Sequence, residues 1–177
     1  MFILLILIGV IVLASEVEGF YYVKSIRVQT SSGHTGGDSS KTSPRTNPNI
    51  ISVNTLINYG NNTRIWYNET DVVVGSNFYD QTLRVANGNV VAIYYPTLNA
   101  HFVTSINGVR SDGIGSNCSY CWGIWIYCAK DNAWMYSTEG ADLVKLSNGD
   151  VLAWYIQNIS QNNAPLRGAK TILVCSS

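Results

Sequence analysis

WGIWIYCAKDNAWMYSTEGADLVKLSNGDVLAWYI, residues 122–156, is the stretch on which the fold turns. Aromatic and β-branched residues crowd it, and it divides into strands at WGIWIYCA (122–129), WMYST (134–138) and DVLAWYIQ (150–157). Lys130-Asp131-Asn132 and Asn148-Gly149-Asp150 supply the turn chemistry between them. In the first strand Trp122, Ile124, Ile126 and Cys128 share one face, and Trp125 and Tyr127 share the other. One face is expected in the core. The second is either a stacking surface for a planar ligand or sugar, or is covered in its turn. On this reading Trp122, Trp125, Trp134 and Tyr136 are the candidate ligand-binding residues.

Working outward, FVTSINGV (102–109) is a strand leading into the Asn107-Gly108 turn, and VVAIYY (90–95) reads as a buried strand ended by Pro96. VGSNFYDQTLRVANG (74–88) is the one helix. Ser76 or Asn77 caps it, Asp80 sits in its first turn, and Gly88 ends it. Phe78, Tyr79, Leu83 and Ala86 are expected to face the sheet. IISVNTLINYGNNTRIWYN (50–68) gives two strands around the turn Tyr59-Gly60-Asn61-Asn62, and KTILVCS (170–176) is the last strand. One helix against about eight strands predicts an α+β domain with a mainly antiparallel sheet.

Three of these stretches, taken in order, resemble a known family. LINYGNNTRIWYN with VGSNFYDQTLRVAN, then FVTSINGV, then residues 122–156 look like the transcobalamin-C-terminal-like domain, an uncharacterised family of exported bacterial and archaeal proteins. Residues 50–157 follow its order, with Gly140-Ala141-Asp142 and Asn148-Gly149-Asp150 the most specific points. In vitamin-carrier members the resemblance implies one half of a cobalamin-binding clamp. Nothing in these residues supplies the other half, a helical barrel, so vitamin carriage does not come with the fold. These points themselves have turn roles. Gly108 and Gly149 supply positive φ, Asn107 and Asp150 can bond neighbouring amides, and Asp142 is expected to cap a turn.

The N-terminus reads differently. Phe2 to Ala14 is an uninterrupted apolar run of thirteen residues, too short for a span of about 20 and the length of a signal-peptide core. Residues 1–19 are therefore a signal peptide or a short membrane anchor, the missing basic n-region keeping the second reading open. FYYVKSIRVQT (20–30) is a strand, and residues 31–48 form a polar linker in which His34 is solvated. Residues 20–49 thus make a strand and linker arm, and 50–177 the β-rich domain. The arm either folds back on its own sheet or adds to that of another copy, giving self-association through residues 20–30.

An exported, extracellular or cell-surface chain with four cysteines points to two disulfides, the favoured pairing being Cys128 with Cys175 and Cys118 with Cys121. The competing zinc reading of Cys118-x-x-Cys121 lacks a second such pair or a nearby histidine. Asn61, Asn68, Asn117 and Asn158 are glycosylation sequons expected to be accessible, at least one bearing glycan if the host glycosylates. Charged residues are only 12% of the chain and the net charge is zero, which argues against nucleic acid as a partner. No nucleophile sits in a catalytic context, and Glu139, Asp142 and Asp150 are explained by turns. The sequence therefore predicts a non-catalytic binding domain without metal or cofactor, partnered by a small ligand or other surface proteins. The alternative is a structural subunit of an extracellular filament.

Overall fold

The computed structural model describes residues 22–23, 49–161 and 163–176. The strands are β1 (Tyr22–Val23), β2 (Ile50–Asn58), β3 (Arg64–Val73), β4 (Val90–Tyr95), β5 (Ala100–Ile106), β6 (Val109–Arg110), β7 (Tyr120–Cys128), β8 (Ala133–Tyr136), β9 (Val151–Asn158) and β10 (Thr171–Ile172). Helix α1 spans Phe78–Val85. The expected α+β, mainly antiparallel architecture is present, but split in two. Seven strands form one sheet in the order β1-β3-β2-β9-β7-β8-β10, and β4-β5-β6 form a second. The large sheet also contains parallel pairs, β1 with β3, β2 with β9 and β8 with β10. A run of apolar alternation identifies a strand without identifying its neighbour.

The middle of the large sheet is apolar on both sides, so both sides are covered. On the first side Val53, Ile57, Trp122, Ile124, Leu152, Trp154 and Ile156 pack against α1, against Val103 and Ile106 of β5, and against Ala141, Val144 and Leu146. On the second side Leu56, Trp125, Trp134 and Ala153 pack against Ala164, Leu166 and Ala169 of the segment before β10. Burying each large side chain contributes roughly 1.5–3 kcal/mol relative to exposure.

Helix α1 begins with a reciprocal capping box. The Asp80 N–H donates to Asn77 Oδ1 at 2.9 Å, and the Asn77 N–H donates to Asp80 Oδ2 at 3.4 Å. It ends where Asn87 and Gly88 turn to positive φ and the Gly88 N–H reaches back to Leu83 O at 2.7 Å. The inward face differs from expectation. Phe78, Gln81, Thr82 and Val85 are buried with Ala86, whereas Tyr79 and Leu83 are only half-buried. Hydropathy misplaced the face because two polar residues go inside with partners. Gln81 Nε2 donates to Thr55 Oγ1, and Thr82 Oγ1 accepts the indole N–H of Trp154 at 2.7 Å while donating to Phe78 O. The indole also stacks on Phe78, with ring centroids 5.4 Å apart.

Strand β4 corrects a second expectation, since it is not buried. Val90 and Ala92 touch the core, but Val91, Ile93, Tyr94 and Tyr95 are exposed. It is the outer strand of the small sheet, and only one of its faces meets the large one. Of the arm, β1 pairs with β3 in parallel register, Tyr22 opposite Ile65 and Val23 opposite Trp66. The signal or anchor segment 1–19, the rest of strand 20–30, linker 31–48 and His34 lie outside the described residues. None of the described helices is long and apolar enough to cross a membrane.

Both disulfides connect as favoured. Cys118 joins Cys121 with Cα atoms 5.9 Å apart, and Cys128 joins Cys175 with Cα atoms 5.6 Å apart. The second closes a separation of 47 residues and ties the end of β7 to the chain terminus. In the chain-entropy model such a loop contributes about 4 kcal/mol and the three-residue separation about 2 kcal/mol. Denaturant unfolding should therefore find that replacing Cys128 and Cys175 by serine costs more than replacing Cys118 and Cys121. Equal losses would contradict this ranking.

Candidate ligand-binding site

The two sheets do not close completely. Between β5 and the β7–β9 region lies a cleft of about 770 Å³. Its walls include Phe102, Trp122, Ile124, Tyr136 and Trp154, and the loop from Ser137 to Ala141 forms one side. Trp122 is fixed by its indole N–H, which donates to Val109 O at 3.1 Å, and by an edge contact with Tyr59 at 5.8 Å. Tyr136 lies over Gly123. A Cβ there would approach the Tyr136 ring to 2.8 Å, so glycine is what lets the ring lie close to β7. Leu98 and Leu143 line the same cleft and are 65% and 47% exposed. Apolar side chains this open are common singly, but here two of them share the lining of one concavity.

A histidine on the wall is held by a carboxylate from a distant loop. Asp142 Oδ2 accepts the backbone N–H of His101 at 2.6 Å, and Asp142 Oδ1 lies 2.8 Å from His101 Nδ1. Asp142 therefore does not cap its own turn. That turn closes by Leu143 N–H to Gly140 O, and the carboxylate spans 41 residues to pin the loop onto β5. The His101 ring stacks on Tyr79 at 4.1 Å and meets Tyr94 at 5.0 Å. The Tyr79 phenol is pushed above its ordinary range by burial first, then by the charges of Asp142 and Asp80. Asp150 behaves as its sequence context implied, accepting the Ser147 N–H at 2.7 Å.

The four candidate aromatic residues part company. Trp122 and Tyr136 line the cleft. Trp134 lines a separate pocket of about 560 Å³ with Trp66 and Tyr127. Trp125 is fully buried, edge-on to Tyr136, and presents no surface. The sequence reading missed His101, Asp142, Tyr79 and Phe102, since nothing local marks a histidine and an aspartate as partners. Of the sequons, Asn61 is exposed in a bend and Asn117 is exposed at the end of a short 3-10 helix (Gly115–Asn117), while Asn68 and Asn158 are half-buried in strands. Asn158 Oδ1 is also engaged by Ser160. Both sulfurs of Cys118 and Cys121 are bonded to each other, which displaces the zinc reading of that pair. Asp112 lies near them but accepts the N–H groups of Ser119 and Tyr120.

No protein-family model and no curated protein matches the chain. Its fold is distantly similar to solved structures. Haptocorrin in complex with Cbi matches at 18% identity and TM-score 0.45, over 60% of this chain and 25% of that one. A protein from Ruminococcus gnavus, provisionally named as metal binding, matches at 14% identity and TM-score 0.44, over 61% of this chain and 97% of that one. The chain thus spans a quarter of the haptocorrin chain.

Burial also raises the phenols of Tyr59 and Tyr136. A raised phenol favours the folded state while protonated, so its contribution is complete below about pH 10 and is lost as pH climbs through the raised value. Stability measured by denaturant is expected to hold up to about pH 10 and fall above it. Phenolate absorbance should lag that of free tyrosine. A phenolate curve identical to that of the unfolded chain would contradict the assignment.

Proposed function

We propose that this chain is an exported, extracellular binding module that holds a small, flat, largely apolar molecule in the cleft between its two sheets. The cleft itself carries the reading. Its volume lies within the ~300–1,000 Å³ usual for small-molecule sites, its walls are aromatic, and its polar groups are few. Two disulfides and the apolar leader support export, because such bonds persist in oxidising compartments. Glycan on exposed Asn61 or Asn117 would appear as excess intact mass over the polypeptide. The module works without chemistry of its own. The His101–Asp142 pair resembles part of a triad, but among the described residues no hydroxyl or thiol bonds to the ring, and the pair serves to hold the loop.

Nile red, planar and uncharged, is a suitable probe. It should bind the native chain at one equivalent and quench tryptophan fluorescence through Trp122 and Trp154. Leu143→Arg places a charge on the exposed lining and should weaken binding about tenfold, with stability changed by less than about 0.5 kcal/mol. Binding that survives this substitution unchanged would place the dye elsewhere.

A second reading keeps the chain as a filament subunit. It rests on β3, which takes the arm strand β1 in parallel register, Tyr22 opposite Ile65 and Val23 opposite Trp66, a place that the same strand of another copy could fill. Sedimentation of the mature protein is expected to show a monomer at every concentration. An open-ended series of polymers would favour the filament, since a heterologous strand contact does not close on itself.

A further inference from the structure

On the sheet face opposite the cleft, the segment 163–169 lies across the ends of β2, β3 and β9. It is fastened there by Asn58 Nδ2, which donates to Pro165 O at 2.5 Å, and by the burial of Pro165 itself. Under its edge is a pocket of about 460 Å³ whose lining includes Arg64, Arg167, Tyr155, Asn163 and Thr171. Among the described residues no aspartate or glutamate lines it. Neither guanidinium has a carboxylate within salt-bridge distance among those residues, where the one close pair is His101 with Asp142. Arg64 is half-buried, and its Nε is buried without a hydrogen-bond partner.

A guanidinium on an open surface needs no partner, because water solvates it. Arg64 is in a different position. It is partly withdrawn from water, a donor is left unmet, and a second arginine shares its pocket, so two like charges repel with no carboxylate of the described residues between them. The Tyr155 phenol is pushed up by burial and then by Tyr120, while Arg64 pulls it down. Both arginines present planar forks of donors, and the Asn163 amide and Thr171 hydroxyl add neutral ones.

We propose that this pocket binds a small oxyanion, the carboxylate or phosphate group of a small molecule, between Arg64 and Arg167. The oxyanion brings the counter-charge that the pocket lacks and an acceptor for the unmet Arg64 donor, and a guanidinium fork suits its planar or tetrahedral oxygens. The site is separate from the cleft and does not depend on it.

Nitrogen-15 NMR of the arginine Nε–H groups in the full chain tests this, with sodium phosphate and sodium acetate titrated against sodium chloride at matched ionic strength. The Arg64 resonance is expected to shift saturably with phosphate or acetate, and which of them binds more tightly identifies the oxyanion. Arg167→Gln, at an exposed position, should weaken binding about tenfold while leaving Nile red binding in the cleft unchanged. Arg64→Lys keeps the charge but loses the fork and should weaken it comparably. An equal shift with chloride, or an Arg64 resonance that responds to neither anion, would overturn the proposal.

Discussion

The indole of Trp154 stacks on Phe78 and gives its N–H to Thr82, and by this contact helix α1 is fastened to the centre of the large sheet. Trp154 lies on β9, with β2 on one side and β7 on the other, the strands whose side chains are apolar above and below. Such strands cannot leave either face in water, so described parts of the chain pack over both. Helix α1 and the small sheet take one face, and the segment 163–169 takes the other. The cleft opens where β5 of the small sheet and the loop from Ser137 to Ala141 stand apart over β7 and β9, with Trp122 and Trp154 in its lining.

Scarcity of charge shapes the remaining detail. With 12% charged residues, this chain makes its long-range polar ties through uncharged amides and single carboxylates. Asn58 holds the segment 163–169, Asn107 Nδ2 donates to the Tyr59 hydroxyl, and Asn148 accepts the Ser52 N–H. Asparagine also takes positive φ at positions 62, 87, 99, 107 and 132, where its short side chain tolerates the left-handed region. Against that background Arg64 stands out, because its half-buried side chain leaves Nε without a hydrogen-bond partner among the described residues.

Cleft and pocket differ in the way each is built. The cleft is walled by aromatic rings, with His101 and Asp142 committed to each other, so it favours a ligand recognised by shape and apolar area. The pocket under 163–169 has two arginines and no described carboxylate in its lining, so it favours negative charge. A molecule suited to one is poorly suited to the other. The seven-stranded sheet separates them, so occupancy of one need not disturb its neighbour.

By itself the sequence determined what depends on neighbours along the chain. Alternation in WGIWIYC made a strand, Asn107-Gly108 and Asn148-Gly149-Asp150 made turns, Ser76 or Asn77 with Asp80 started the helix, and the cysteine positions matched one long tie to Cys175 and one tight loop. Trp122 and Tyr136 were legible as candidate site residues, because aromatic excess is a property of composition. Tertiary structure alone decided that the strands divide into two sheets, that Gln81 and Thr82 turn inward, that β4 stays exposed, and that Asp142 serves His101 rather than its own turn. Each of these depends on partners tens of residues away, whose approach is set by how covering pieces pack on β9 and β7. Periodicity says which residues share a face. What that face meets is settled only when the chain closes around it.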